Sequence, residues 1–264
     1  MLNNYADKIL YLMKHKISDL MIAQKSILDL NEVDEQLSTN GCVVMENFLA
    51  EEECKQLLEK SIYIEKKYPE RVSLESNNAD MRIYGVDRLD DTFKLKSISS
   101  ITDLWAKKFY RSKNINYFQV LGHIKRTENN IGSGGGWHRD SPFSHQFKFI
   151  LYINDVTEKN GPFQYIKGSH KTKNIINYCQ KTNLSLKKYR LSEFEVNEIV
   201  TKSVCNEIIT VVGKAGTLLI ADVKGLHRGK PLEDGERWAT TRYYFRGKIP
   251  KYFHTLIGKD KTTE

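Results

Sequence analysis

The amino-acid sequence predicts an α+β chain in which helices come first and a β-sandwich or barrel follows, of which the jelly roll is one form. Apolar residues recur at helical spacing in the first part of the chain, whereas short strand-like runs separated by turn residues dominate after Tyr117. The chain has 264 residues, 40% of them hydrophobic, which is enough for one sizeable core. We therefore expect a single domain over residues 1–264.

The N-terminal part of the chain predicts helix, strand and helix in turn. Residues 5–37 contain no Pro or Gly and place apolar groups at helical spacing, so residues 1–37 are expected to form a helical segment. Cys42–Met45 predicts a short strand. Leu49–Cys54 then begins a second helix, because three acidic residues in its first turn suit the positive end of the helix dipole.

Residues 70–100 are polar and rich in basic side chains, which is typical of exposed loops, with one short strand at Met81–Tyr84. Ile98–Tyr110 predicts a helix. A jelly-roll core is expected over residues 117–247, with a long insertion at 171–206 near the mouth of the site. The predicted strands of this core, separated by turn residues, are Tyr117–Ile124, Phe147–Ile153, Phe163–Ile166, Glu207–Val212, Thr217–Ala221 and Ala239–Phe245.

Composition narrows the location and the partners. The chain lacks an apolar run long enough to span a bilayer and lacks a secretory pattern at its start, so we expect a soluble, cytoplasmic protein with no membrane partner. Its four cysteines are scattered, which argues against structural zinc and disulfides. The net charge of +8 suits an anionic partner, although dispersed surface lysines that serve only solubility explain it equally well.

A short motif after the glycine run Gly134–Gly136 has the spacing of metal ligands. In extended backbone, residues i and i+2 point to the same side, so His138 and Asp140 can converge on one cation while Arg139 points away. Two histidines and one carboxylate that leave positions open are typical of non-haem iron(II) oxygenases. A third ligand must come from elsewhere in the chain, and His227 lies just beyond an apolar strand.

An arginine on a strand beside such a metal could clamp a carboxylate through two parallel hydrogen bonds. Arg242 lies on the last predicted strand and Arg237 lies two residues before it, and the charge argument fits either residue. The residues alone therefore do not decide which arginine would bind the carboxylate.

Four stretches in order closely resemble the phytanoyl-CoA dioxygenase family of 2-oxoglutarate oxygenases. The first, Gly41–Leu49, is similar to the opening of the family's domain. The others are Gly136–Asp140, Asn160–Lys171, and Gly216–Ile220 leading to His227 and Arg237. The resemblance covers residues from about 30 to 245, and four landmarks in the right order are far more specific than any one of them.

The resemblance implies a double-stranded β-helix, or cupin-like jelly roll, with N-terminal and flanking helices. Fe(II) would be held by His138, Asp140 and His227, with 2-oxoglutarate and O2 as co-substrates. Arg237 would bind the distal carboxylate of 2-oxoglutarate, and Lys125 would supply a further contact to this co-substrate. The implied reaction is hydroxylation with release of succinate and CO2. Basic residues in 70–100 and in the insertion at 171–206, among them Arg190, would suit a small anionic metabolite or carrier-bound group, although a solvated surface explains them equally well.

Three further residues are candidates for the substrate pocket. Gln119 and His123 alternate with Leu121 and Lys125 on one face of a predicted strand, so they could line the same pocket. His145 lies in the loop after the metal motif, where recognition residues are common. Two departures from the family put the co-substrate contacts in question: Gly229 stands where a serine is frequent, and Ile150 where an aromatic residue is frequent.

Two other functions stay open on the sequence. One is a metal-binding jelly-roll protein without oxygenase turnover, against which the three ligands and Arg237 speak. The other is an oxygenase that acts on nucleic acid, against which speaks the lack of a basic strip interleaved with aromatics. The presence of Asp140 favours hydroxylation over halogenation and leaves desaturation, cyclisation and epimerisation open. The sequence does not predict an oligomeric state.

Overall fold

A computed structural model describes residues 30–75, 78–127, 130–141 and 144–258. Most of the predicted N-terminal helical segment lies outside the described residues, and the described chain begins with helix α1 at Leu30. Helix α2 starts with Glu51, Glu52 and Glu53 and ends with Lys66 and Lys67, so its charges interact favourably with the helix dipole at both ends. The helices are α1 (Leu30–Asn40), α2 (Glu51–Lys67), α3 (Lys96–Tyr110), α4 (Thr172–Thr182), α5 (Glu193–Lys202) and α6 (Lys251–Ile257).

Ten strands form two antiparallel sheets. In chain order the strands are β1 (Cys42–Met45), β2 (Val72–Glu75), β3 (Asp80–Tyr84), β4 (Ile115–Lys125), β5 (Phe147–Tyr152), β6 (Phe163–Ile166), β7 (Ile208–Val211), β8 (Leu218–Asp222), β9 (His227–Gly229) and β10 (Glu236–Arg246). The larger sheet has the order β1-β8-β5-β10-β4-β3-β2, and the smaller sheet has the order β7-β6-β9. This arrangement is a double-stranded β-helix, or jelly roll, flanked by helices, which confirms the predicted fold class.

The two faces of the larger sheet have different partners. In β5, the side chains of Phe147, Phe149 and Leu151 pack in the main apolar core, where they meet residues of α2 and α3. The alternate side chains, Lys148 and Ile150, face a cavity between the sheets. A separate apolar cluster joins the two sheets at one end of this cavity; it includes Tyr152, Phe163, Tyr165, Leu219 and Ala239.

The insertion at residues 171–206 is folded into the pair of helices α4 and α5. The N-terminus of α5 is fixed by Ser192 and Glu195, whose side chains each accept a hydrogen bond from the other's backbone N–H. Both helices pack on a buried cluster that contains Trp137, the residue before the predicted ligand His138. The insertion therefore supports the metal motif directly.

Arg139 connects the insertion to the segment that carries the metal motif. Its backbone N–H donates to the carbonyl of Tyr189 at 2.8 Å. Its guanidinium, in a residue that is 2% exposed, donates to the carbonyls of Leu186 and Lys188. Arg139 thus points away from its two neighbours in the motif, as expected, and holds the loop at residues 186–190 against the site.

Every predicted strand overlaps an observed one, while two strands, both insertion helices and the C-terminal helix α6 were missed. The missed strands are β2, in a segment expected to be loop, and the three-residue β9, which begins at His227. Strand β4 is longer than predicted because it pairs with β10 over its whole length, from Ile115 to Lys125. None of the helices in the described ranges is long and apolar enough to cross a membrane.

Candidate active site

The three predicted ligands meet at the rim of the cavity. His138 and His227 lie directly opposite each other, since each backbone N–H donates to the other's carbonyl at 2.9 Å. The Asp140 Oδ1 atom is 3.3 Å from His138 Nε2 and 3.6 Å from His227 Nε2. Within the described ranges these three residues form the only group of His, Cys, Asp or Glu whose ligand atoms are close enough to share a metal ion, all lying within 4.8 Å of one another.

Backbone carbonyls orient both imidazoles for metal binding. His138 Nδ1 lies 2.8 Å from the Gly136 carbonyl, and His227 Nδ1 lies 2.9 Å from the Gly225 carbonyl. Because a carbonyl can only accept, Nδ1 must carry the proton, and the Nε2 lone pair faces the site. The Nε2 atom of His227 is buried without a hydrogen-bond partner, which is what a metal ligand looks like when the protein alone is considered. The donor set therefore fits a 2-His-1-carboxylate metal.

The charges of the ligands suit a divalent cation. Burial alone would raise the pKa of Asp140, but the positive charge of the Lys148 ammonium opposes this effect, and that pKa lies well below its usual value. Burial is also the main cause that lowers the pKa of His227 from 6.5 to about 4. At neutral pH the site thus offers an ionised carboxylate and a neutral imidazole.

The depressed pKa of His227 makes the metal-free protein sensitive to acid. Between pH 6.5 and about 4 the unfolded chain binds a proton at this residue and the folded chain does not. The free energy of unfolding should therefore decrease as the pH falls through this window, by about 3 kcal/mol at most for this one group. Denaturant unfolding of the metal-free protein and of His227→Gln at several pH values measures this, and an equal slope in both proteins would contradict it.

Glycine at position 134 is required by the position of His138. Gly134 has φ +80°, and a Cβ there would lie 2.4 Å from His138 Cε1. The loop is fixed from the other side by Asp80, which accepts hydrogen bonds from Ser133 Oγ at 2.8 Å and Gly134 N at 3.2 Å. Asp80 is itself paired with Arg82. The glycine run is thus a close-fitting support for the imidazole and not a phosphate loop.

Arg237 lines the same cavity, which has a volume of about 330 Å³. The residue is 7% exposed, its guanidinium donates to the Gly161 carbonyl, and its Nε atom is buried without a partner. Arg237 forms no ion pair with another described residue. A Cβ on Gly229 would lie 3.1 Å from Arg237 Nη2 and 2.7 Å from Ser133 Cβ, so the glycine that replaces the family's frequent serine leaves room for the guanidinium.

Arg242, the alternative clamp, is fully engaged on the other face of β10. It is 0% exposed and donates to Gln119 Oε1 at 3.0 Å and Thr102 Oγ1 at 3.1 Å. A further guanidinium nitrogen donates to the Lys94 carbonyl and to Ser99 Oγ. The side chain joins the sheet to α3, and only Arg237 of the two arginines faces the cavity.

Comparison with known proteins shows the family of the chain. The sequence profile described as phytanoyl-CoA dioxygenase (PhyH) matches residues 37–236. The chain belongs to the phytanoyl-CoA dioxygenase family. A comparison with curated proteins found no match.

Solved structures similar to this member of the phytanoyl-CoA dioxygenase family share its fold at low sequence identity. The epimerase SnoN, crystallised with Fe³⁺, alpha ketoglutarate and nogalamycin RO, has a TM-score of 0.64 and 14% identity, over 89% of this chain and 91% of SnoN. EctD from S. alaskensis with bound Fe has a TM-score of 0.61 and 14% identity, over 89% and 85%. HygX from Streptomyces hygroscopicus, with nickel and 2-oxoglutarate, has a TM-score of 0.54 and 14% identity, over 81% and 85%.

The residues of β4 that were expected to line the pocket lie on the face of the strand that points away from the cavity. Lys125 pairs with Glu65 of α2 at 3.1 Å, His123 lies between Glu65 and Glu236, and Gln119 donates to Thr240. Their shared face was predicted correctly, but it packs on the helices. The residues of β4 that line the cavity are Val120, Gly122 and Ile124. Alternation along a strand does not reveal which face is inside when both faces are buried.

His145 is also placed away from the cavity. Its Nδ1 atom pairs with the Asp222 carboxylate, and Lys224 Nζ lies 3.4 Å from its Nε2. His170 is likewise placed elsewhere, with its Nε2 atom 3.3 Å from the Ser38 carbonyl oxygen. Neither histidine is among the residues that line the cavity.

Lys148 is the residue of the site that the sequence reasoning missed. It is 7% exposed, lines the cavity, and its ammonium lies 2.7 Å from Asp140 Oδ2. One signal was available: it is the only charged residue in the predicted strand Phe147–Ile153, and a lone charge in an apolar strand needs a partner. Arg190, which also lines the cavity, lies in the predicted insertion at 171–206.

Proposed function

We propose that this protein is a non-haem Fe(II)- and 2-oxoglutarate-dependent dioxygenase that hydroxylates a small, anionic metabolite or carrier-bound group and releases succinate and CO2. One observation carries the proposal: the His138, Asp140 and His227 donors share a cavity with the buried guanidinium of Arg237, which forms no ion pair with another described residue. Family membership and the Fe- and 2-oxoglutarate-containing relatives support the same class.

His138, Asp140 and His227 would hold the iron and leave positions open for the co-substrates. When bound, iron supplies the redox chemistry that couples decarboxylation of 2-oxoglutarate by O2 to oxidation of a substrate carbon. The chain supplies fixed imidazoles and an ionised carboxylate, so the site needs little rearrangement on metal binding.

Arg237 is positioned to bind the distal carboxylate of 2-oxoglutarate. A buried guanidinium without an acidic partner is costly, and an anionic ligand would compensate its charge. Burial is the main cause that lowers the pKa of Arg237, and the opposing effects of Tyr152 and Asp80 do not outweigh it. The planar fork of the guanidinium matches a carboxylate better than an ammonium does.

The mouth of the cavity suits an anionic substrate. Arg190 is exposed there and donates only to the carbonyls of Gly134 and Gly135, at 2.7 and 3.3 Å, so among the described residues no carboxylate pairs with it. Tyr189 and Tyr252, which are 55% and 69% exposed, also line the cavity and offer aromatic faces. A carboxylate or phosphate beside Arg190, attached to a group that stacks on tyrosine, is the substrate that these side chains would recognise.

Succinate release across a metabolite set tests the proposal. The protein reconstituted with Fe(II) is supplied with 2-oxoglutarate, O2 and pairs of compounds that differ only in a carboxylate or phosphate and its neutral ester or amide. We expect substrate-dependent succinate with the anionic member of one pair, and a product that gains one oxygen atom from O2. Turnover that follows neutral compounds equally would contradict the anionic substrate. A product isomerised, desaturated or cyclised without added oxygen would contradict hydroxylation.

A matched pair of variants tests the role of Arg190. Arg190→Ala should raise the KM for the anionic substrate, whereas Lys187→Ala removes an equal charge from the same exposed loop and should change it little. Oligonucleotides in the same assay test the alternative that nucleic acid is the substrate. Iron binding without succinate from any substrate or oligonucleotide would favour a metal-binding protein without turnover.

A further inference from the structure

Lys148 contacts the one oxygen of Asp140 that the two histidines do not approach. Oδ1 of the carboxylate faces both imidazole Nε2 atoms, at 3.3 and 3.6 Å, whereas Oδ2 lies 2.7 Å from Lys148 Nζ. The carboxylate is therefore divided between a candidate metal-binding oxygen and an oxygen engaged by the protein. Its side chain is only 19% exposed, so water competes little for Oδ2.

The ammonium has few alternatives to this partner. Its side chain is 8% exposed and Asp140 is the only acidic residue of the described chain with which it forms an ion pair. Nζ also lies 4.5 Å from the ring centroid of Tyr243, which is paired with Lys148 across β5 and β10. The tyrosine ring supports the ammonium from one side through a cation–π contact while Asp140 accepts its hydrogen bond from another.

A carboxylate can bind a metal through one oxygen or through both. Two-oxygen binding by Asp140 would occupy one more position on iron. That position would be needed if 2-oxoglutarate takes two positions and O2 takes another. A hydrogen bond from an ammonium to Oδ2 competes with two-oxygen binding, because this hydrogen bond would have to break before Oδ2 could bind the metal.

We propose that Lys148 is a positioning residue that restricts Asp140 to one metal-binding oxygen and thereby keeps a coordination position open for the co-substrates. This inference rests on the proposed function, because it concerns the geometry of the same metal site. Lys148 acts through Asp140 and takes no part in substrate chemistry.

Variants of Lys148 separate this role from a purely structural one. Lys148→Met removes the ammonium and keeps most of the side-chain volume, Lys148→Gln is a second neutral variant, and Lys148→Arg keeps the charge. Lys224→Met is the matched control, since Lys224 is also buried, at 5% exposed, but donates to Thr172 Oγ1 at 3.0 Å and does not line the cavity. Each protein is titrated without oxygen, first with Co(II) and then with 2-oxoglutarate, and its unfolding is followed by circular dichroism.

We expect a split between metal and co-substrate affinity. The neutral variants should bind Co(II) at least as tightly as the unmodified protein, because a cation has been removed from beside the metal and a second oxygen has become available. Their affinity for 2-oxoglutarate at the metal should fall about tenfold or more, as expected for loss of a contact that orients a metal ligand. Lys148→Arg should recover most of it, and Lys224→Met should match the unmodified protein in both titrations.

Nitric oxide binding to the complex with Fe(II) and 2-oxoglutarate distinguishes the proposed role from a simple attraction of the anionic 2-oxoglutarate by Lys148. This ligand is neutral, so its binding reports on an open position and should also weaken in Lys148→Met. Unchanged binding of nitric oxide alongside weaker 2-oxoglutarate would make Lys148 an anion-binding residue and overturn the inference. Neutral variants that bind both ligands normally would overturn it while leaving the proposed function intact. Failure of the unmodified protein to bind Co(II) or Fe(II) would overturn both.

Discussion

Replacing His138 or His227 by Ala should lower the affinity for Fe(II) by more than about a hundredfold and reduce 2-oxoglutarate turnover to background, because loss of a ligand exceeds the effect of losing its supporting contacts. The fold should survive, since both side chains face the cavity and neither belongs to an apolar core cluster. Metal content by mass spectrometry and succinate release measure the result. His254→Ala, an exposed histidine of α6, is the control.

Asp140→Ala should show the same loss of iron and an additional loss of stability. Removing the carboxylate leaves the buried ammonium of Lys148 without its acidic partner, and an unpaired buried charge is strongly unfavourable. Asp140→Asn should be less destabilised, because its side-chain oxygen can still accept from Lys148. Normal iron-dependent turnover by His138→Ala would exclude this residue as a ligand.

Replacing Arg237 by Ala should raise the KM for 2-oxoglutarate far more than it weakens iron binding. Loss of a buried charge-assisted hydrogen bond that leaves its partner unpaired costs on the order of 2 to 5 kcal/mol, roughly thirtyfold to several thousandfold in affinity. Arg237→Lys should recover only part of this, since lysine supplies a charge without the two parallel donors. Steady-state kinetics with varied 2-oxoglutarate at saturating Fe(II) measure the effect.

Arg242→Ala is the informative comparison for Arg237, because both arginines are buried on the same strand. The side chain of Arg242 joins β10 to α3 and to Lys94, so its removal should lower the free energy of unfolding and leave the KM for 2-oxoglutarate near normal. The opposite pattern, with co-substrate affinity lost in Arg242→Ala and retained in Arg237→Ala, would assign the clamp to Arg242.

The sequence was most informative where chemistry is encoded locally. The spacing of His138 and Asp140 requires only extended backbone, and the strands of the core were recognisable from β-branched and aromatic runs between turns. The third ligand, His227, required the family resemblance, because nothing local shows that it pairs with His138. The structure brings them together through β9, a strand of three residues that is too short to produce a pattern.

Features that depend on packing could not be predicted. The shared face of Gln119, His123 and Lys125 was clear, yet the helices that cover it come from distant parts of the chain. The role of Lys148 depends on Asp140 approaching β5 across a loop. The insertion helices were hidden because α4 and α5 bury only a narrow face, against Trp137 and its neighbours, and expose the rest.

Anaerobic titration with Fe(II) followed by 2-oxoglutarate tests the central claim most directly. We expect one Fe(II) per chain, bound through His138, Asp140 and His227, and a visible charge-transfer band that develops only when 2-oxoglutarate is added. The band should be absent from His138→Ala and should need much more 2-oxoglutarate in Arg237→Ala. An unmodified protein that takes up no Fe(II), or that takes it up without developing the band, would contradict the account.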